Sequence, residues 1–229
     1  DRDDDSEFSP MAHQKIVRDY IAQFTPYRGV LLFHGLGSGK TCSSIAITEG
    51  MKTSKQVIIM TPASLRMNYV EELKKCGDSL YRKNQFWEFI NTQSQPTIID
   101  HLSSVLQLSV EYIQKQGGAW LMNITKPSNF NTLHSSQKKS LDLQLNEMIR
   151  YKYKFINYNG LRMANLKNLT QNFTINPFDN AIVVIDEAHN FVSRIVNKLG
   201  KEDTLSGKLY DYLMGADEAR IVLLTGTPI

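Results

Sequence analysis

The stretch from Val30 to Thr41, VLLFHGLGSGKT, constrains this chain more than any other part of it. Val30, Leu31, Leu32 and Phe33 are apolar in succession and predict a parallel strand covered on both faces. Gly35, Gly37 and Gly39 then alternate with Leu36 and Ser38, and a helical pattern follows from Cys42 to Met51. Glycine lets the backbone approach a ligand closely, so several N–H groups can converge on one concavity. Phosphate oxygens suit that concavity, because the following helix adds its N-terminal dipole and free donors. The pattern reads as a P-loop. Lys40 is expected to reach the β- and γ-phosphates of a nucleotide, and the Thr41 hydroxyl to ligate Mg²⁺. His34 stands where the general pattern has glycine.

Two further motifs each end an apolar run. Ala181 to Ile185 leads into Asp186-Glu187-Ala188-His189, a DEAH box. A carboxylate at the carboxyl end of a buried strand sits where ligands bind in open α/β sheets. Asp186 is expected to hold the Mg²⁺ opposite Thr41, and Glu187 to orient or deprotonate the attacking water. Near the end of the sequence, Leu223-Leu-Thr-Gly-Thr-Pro228 again follows strand-like residues. Elsewhere, Ile16, Val17, Tyr20, Ile21 and Phe24 recur at helical spacing before the P-loop strand. Val57 to Thr61 and Tyr153 to Asn157 read as strands, and Leu65, Tyr69, Leu73 and Cys76 as one face of a helix. Strands alternating with helical patterns predict an α/β fold with a mainly parallel central sheet flanked by helices.

The order of GLGSGKT, DEAH and LLTGTPI, each after a strand, resembles motifs I, II and III of superfamily 2 helicases and translocases. Thr61-Pro-Ala-Ser-Leu-Arg-Met-Asn-Tyr-Val-Glu-Glu-Leu73 is similar to motif Ia of their Swi/Snf-like branch, and Phe155-Ile-Asn-Tyr158 to the strand that precedes DEAH there. The P-loop and its helix look most like those of helicases of large cytoplasmic DNA viruses, related to poxviral early transcription factor and nucleoside triphosphatase subunits. The resemblance implies a RecA-like domain binding ATP and Mg²⁺ on Gly35, Leu36, Gly37, Ser38, Gly39, Lys40 and Thr41. It implies catalytic roles for Lys40 and Glu187, and for His189 in coupling ATP to motif III. Gln14 falls where such proteins keep an adenine-reading glutamine. The expected partners are DNA or RNA, a second RecA-like domain of the same polypeptide and viral transcription machinery. The alternative is a nucleotide switch or scaffold module in a transcription or packaging complex; a third reading, the motor subunit of a restriction enzyme, shares every motif.

The rest of the chain is less telling. Lys40 and Asp186 are unusually far apart, so roughly 77–150 reads as a helix-rich insertion. Ile98, Leu102, Val105, Leu106 and Ile113 suggest one helix there, and Leu141, Leu145, Met148 and Ile149 another. Gly117 to Ser136 reads as irregular, and Phe86, Trp87 and Phe89 as a small core or an interdomain patch. The start at Asp1 without methionine and the stop at Ile229 suggest a piece, 1–229, of a longer polypeptide. A net charge of +3 does not by itself argue nucleic-acid binding. No apolar run approaches a membrane span and no signal peptide opens the chain. Cys42 and Cys76 fit neither a zinc cluster nor a disulfide framework, which makes a reducing compartment the default. The viral resemblance implies host cytoplasm or virion, and without it the expectation is an intracellular setting.

Overall fold

The computed structural model describes residues 12–21, 25–33, 39–93, 96–197 and 204–227. In chain order the elements are α1 (Ala12–Tyr20), β1 (Gly29–Phe33), α2 (Lys40–Met51), β2 (Gln56–Thr61), α3 (Arg66–Cys76), β3 (Phe86–Asn91), α4 (Ile99–Leu106) and α5 (Val110–Gln116). There follow β4 (Gly118–Asn123), α6 (Ser135–Lys152), β5 (Tyr153–Asn157), α7 (Met163–Leu169), β6 (Ala181–Ile185), α8 (Ala188–Val196), α9 (Leu205–Gly215) and β7 (Arg220–Thr225). They fall into two compact units, 1–69 with 153–229, and 70–152.

The first unit is built on a five-stranded sheet in the order β1-β7-β6-β2-β5, with every neighbouring pair parallel. The expected α/β architecture is what the chain adopts. β2 and β6 lie inside the sheet, which is why Val57 to Met60 and Ala181 to Ile185 are buried as unbroken apolar runs. β1 departs from the expectation of cover on both faces. It is a terminal strand, and only Leu32 is buried, while Leu31 and Phe33 are 49% and 55% exposed. On α1 the helical spacing is right but the buried face is not the expected one. Gln14 is buried, and Ile16 and Tyr20 point outward, Tyr20 stacking on Tyr27 at 4.3 Å. Phe24 lies outside the described residues.

The amino-terminal ends of the strands are tied by side chains meeting orphan carbonyls. Arg28 donates to the carbonyls of Leu213, Met214 and Ala216, satisfying the carboxyl end of α9 with a cation. Buried Lys55 donates to Asn180 Oδ1 and the Glu218 carbonyl, which joins the start of β2 to the turns before β6 and β7.

The second unit holds an antiparallel pair, β3 with β4, with α4, α5 and α6. Two expectations need correcting. Gly118 to Asn123, read as irregular, is a strand, and Phe86, Trp87 and Phe89 belong to its partner. The strands pair across two intervening helices, a long-range match that neither segment announces locally. Gly118 is required by close approach, since a Cβ there would lie 2.2 Å from the Ile90 carbonyl oxygen. The single helix expected around Ile98–Ile113 is broken into α4 and α5, with Gln107 left-handed between them. Side-chain amides close both outer edges of the pair. Asn129 accepts from the Trp87 N–H and donates to the Trp87 carbonyl, and Gln144 does the same for Trp120. Each amide acts as one residue of an added strand, leaving less edge for another chain to join.

One ionic cluster within this unit yields a pH prediction. Lys74 Nζ, 3% exposed as a residue, sits 2.8 Å from Glu71 and 2.7 Å from Asp142, and Lys83 reaches the same two carboxylates at 3.2 and 2.8 Å. Burial alone would raise both carboxyls. The hydrogen bonds and charges of the two lysines outweigh it and hold both below the usual range. Groups whose pKa falls on folding stabilise above their unfolded pKa, and that stability is lost as pH falls through the folded value. The difference in melting temperature between the parent chain and Asp142→Asn is therefore expected to hold from pH 8 to 6 and to shrink below about pH 4. A difference independent of pH down to pH 3 would show that these pairs contribute nothing.

Neither Cys42 nor Cys76 is a free thiol in the structure, which corrects the expectation drawn from their spacing. Spacing signals disulfide frameworks of many cysteines and carries no information about two.

Candidate active site

Three strands of the first unit deliver chemistry at their carboxyl ends. β2 ends on Thr61, β6 runs into Asp186 and β7 ends on Thr225. Because β6 lies between β2 and β7, these residues converge on one edge of the sheet. The Asp186 N–H donates to the Met60 carbonyl at 2.8 Å, extending the β2–β6 ladder by one bond. The Thr61 hydroxyl is 3.5 Å from Asp186 Oδ2, and the Glu187 N–H donates to Asp186 Oδ1 at 3.0 Å. Burial, followed by the neighbouring Glu187 charge, pushes the Asp186 carboxyl above the usual range. Lys40 acts in the opposite direction, so its ammonium lies within electrostatic reach.

Glu187 itself is left-handed, at φ 50°, as the N-cap of α8. That conformation is unfavourable for a non-glycine residue and persists only where surrounding contacts over-determine it. Tyr158 supplies them. Its buried ring packs edge-on to Phe191 at 5.5 Å, and its hydroxyl serves the carbonyls of Asp186 at 2.9 Å and Glu187 at 3.1 Å. Its supporting position shows only once β5 and β6 share a sheet; in the sequence it is an aromatic residue after a strand.

His189 joins two motifs. Its Nδ1 is 3.0 Å from Thr225 Oγ1 and 3.4 Å from Glu187 Oε2. The Thr225 hydroxyl donates its one proton to the Thr227 carbonyl at 2.8 Å, while the Thr227 N–H donates back to it. A hydroxyl already committed as donor can only accept from the histidine. The proton of a neutral His189 is thereby assigned to Nδ1, leaving Nε2 as acceptor.

On the P-loop side, Gly39 is left-handed at φ 76° and caps α2, which starts at Lys40 with Thr41 next. The Gln14 amide nitrogen would lie 3.2 Å from a Cβ placed on Gly39. Glycine is thus needed there for both backbone angle and space, and the buried side chain of Gln14 lies against the end of the loop. Behind the loop, Ser44 Oγ contacts the Thr41 carbonyl at 2.7 Å and the hydroxyl of fully buried Tyr69 at 2.9 Å. Gly35, Leu36, Gly37 and Ser38 lie outside the described residues.

A family model described as the res subunit of type III restriction enzymes matches residues 7–229. The chain belongs to this family. It is 28% identical over 229 residues to a protein of Acanthamoeba polyphaga mimivirus named for an ATP-dependent RNA helicase, covering 98% of this chain and 30% of that protein. It is 24% identical over 233 residues to a protein of invertebrate iridescent virus 3 named for a helicase, covering 96% and 18%. The termination factor NPH-I homolog of African swine fever virus is 22% identical over 208 residues, 91% and 21% of the two chains. The SWI2/SNF2 ATPase core of Sulfolobus solfataricus, solved with double-stranded DNA, superposes with a TM-score of 0.46 at 18% identity, over 95% of this chain and 32% of that one. The resemblance to superfamily 2 helicases of large DNA viruses is thereby borne out. The chain spans less than a third of the length of these relatives.

Proposed function

We propose that the chain is the N-terminal, RecA-like, ATP-binding and ATP-hydrolysing domain of a nucleic-acid helicase or translocase, with 70–152 as a unit inserted into it. The observation that carries this reading is the meeting of Asp186, Glu187, His189 and Thr225 at one edge of a parallel sheet, within electrostatic reach of Lys40.

Each residue has a task in this reading. Gly39 and the loop before it cradle phosphates, Gln14 reads the adenine, and Lys40 meets the β- and γ-phosphates. The donor set suits Mg²⁺, a hard cation that takes oxygen ligands. Thr41 offers a hydroxyl, and Asp186 a carboxylate whose charge is disfavoured by burial and by Glu187, a cost that a bound cation relieves. Thr41 and Asp186 would hold the ion, whose chemistry is to neutralise charge on the phosphoryl oxygens. Glu187, fixed by Tyr158, aligns and deprotonates water. His189 carries the state of this carboxylate to Thr225 and the segment after β7. Other carboxyl-edge residues, Arg66 and Asn68, face the DNA or RNA track, and a second RecA-like domain of the same polypeptide closes over the nucleotide.

Intact Lys40, Thr41, Asp186 and Glu187 favour this enzyme over a nucleotide switch or scaffold module. The viral relatives favour a viral protein, and a place in viral transcription, in host cytoplasm or virion, is part of the same proposal. Among the described residues, no helix is long and apolar enough to cross a membrane.

Calorimetry with Mg²⁺-ADP tests the site. The parent chain is expected to bind, and Lys40→Ala to weaken binding on the order of 10–100-fold, the worth of a charged hydrogen bond. Equal affinities for the two proteins would remove the P-loop from the nucleotide site.

A further inference from the structure

A cavity of about 750 Å³ opens beside β5, the terminal strand at the opposite edge of the sheet from β1. Its floor is Lys154–Asn157, and its walls come from α7 and from residues 171–179. None of the residues placed above in nucleotide binding lines it.

Lys154 is the first reason to regard it as a site. Side chains alternate along a strand, so Lys154 shares a face with Ile156, which packs in the same cluster as Leu166 of α7. Burial lowers its ammonium from the usual range, and no carboxylate acts to restore it. Among the described residues its ammonium has no hydrogen bond or ion pair. Asp179, also on the lining, accepts from the Asp217 N–H. No ion pair joins Lys154 to Asp179, the one carboxylate on the lining, so a cation held partly out of water still gains from an anion that pairs with it.

The lining amides are the second reason. Asn157 Oδ1 accepts from the N–H groups of Asn159 and Gly160, and Asn165 Oδ1 from that of Arg162. Their carbonyl oxygens are thus engaged within the chain, which leaves the NH₂ groups as donors. Asn168 and Gln171 add further amides to the lining. Gln171, Asn172 and Phe173 are left-handed in succession, at φ 49°, 59° and 65°. This strained turn is held by Thr170, which accepts the Phe173 N–H at 2.9 Å, and by the Lys167 carbonyl, which accepts that of Asn172. It fixes Gln171 on the cavity wall.

One cation and several donors call for an anion with many acceptor oxygens, as in a phosphate. Leu161, Leu169, Ile175 and Pro177 add an apolar wall that suits a flat ring. We infer that this cleft is a second binding site, separate from the P-loop, for a nucleotide phosphate with its base. Such a nucleotide comes either free or as one unit of a single strand. A carboxylate has only two acceptor oxygens, which disfavours an acidic peptide.

The experiment uses the 229-residue chain carrying Lys40→Ala, so that P-loop binding is reduced, titrated with AMP and with a short oligothymidylate. Saturable binding of either probe is expected, weakened about tenfold or more by Lys154→Gln and recovered with Lys154→Arg. Tighter binding of the oligonucleotide assigns the site to a strand, and preference for AMP assigns it to free nucleotide; both support the inference. Should Lys154→Gln melt early, the exposed Asn168→Ala serves in its place, with a smaller loss expected. No saturation by either probe, affinity unchanged in these variants, or saturation by oligoglutamate alone would overturn it.

Discussion

These 229 residues by themselves are expected to bind ATP yet hydrolyse it very slowly, with little stimulation by DNA or RNA. Phosphoryl transfer builds charge on the γ-phosphoryl oxygens, and an arginine finger that meets this charge is worth roughly 10³–10⁵ in rate. Four arginines of the described residues are engaged elsewhere. Arg28 and Arg220 serve backbone carbonyls, Arg194 reaches the Asn159 carbonyl, and Arg66 lies over the Phe155 ring at 5.1 Å. In the proposed mechanism the chain supplies the ground-state contacts, and the transition-state cation comes from the second RecA-like domain. A polypeptide that also carries the second RecA-like domain is expected to turn over faster by about that factor. In it, Glu187→Gln should lose turnover while ATP still binds, because water alignment is lost and the phosphate cradle is not. Steady-state phosphate release with and without nucleic acid decides the matter. Brisk, nucleic-acid-stimulated turnover by these residues alone would sink the two-domain mechanism.

The parts of this arrangement that sequence reveals are those governed by local rules. An apolar run followed by glycines and Lys-Thr is a P-loop signature because strand, turn and helix are each set within a few residues. The same holds for Asp186 and Glu187 after Ala181–Ile185. What escapes the sequence depends on which element lies next to which. Leu31 and Phe33 look as fit for burial as Val57 and Ile58, and only the strand order leaves β1 at the rim. Gln14 looks like a surface residue of an amphipathic helix, and only the packing of α1 on α2 buries it against Gly39. The β3–β4 pair escapes because its aromatic residues are matched across α4 and α5. Tyr158 escapes because it acts on backbone carbonyls, which every sequence has.

Phe178 is another such residue, and it bears the second large expected effect. It follows Asn176-Pro177 in a stretch without strand or helix, where nothing in the pattern marks it as core. Yet it is fully buried, in the cluster that holds Ile58, Met60, Ile156, Leu166, Val183 and Ile185. The polar groups around it fix its place. Its N–H donates to Asn176 Oδ1, Asn176 Nδ2 donates to the Tyr212 carbonyl of α9, and its own carbonyl accepts the first N–H of β6. The ring thus lies under the strand that leads to Asp186, with its backbone pinned on both sides, so the surroundings have little freedom to collapse after truncation. A Phe→Ala change in such a core costs about 3–5 kcal/mol, transfer and cavity together. At roughly 2–4 °C per kcal/mol for a chain of this size, Phe178→Ala should melt on the order of 10 °C lower. Ile124→Ala, at a residue 80% exposed, is the control and should shift stability by less than about 0.5 kcal/mol. Thermal unfolding followed by circular dichroism would show it. If Phe178→Ala melts as close to the parent as Ile124→Ala does, the core beneath β6 is not packed as described.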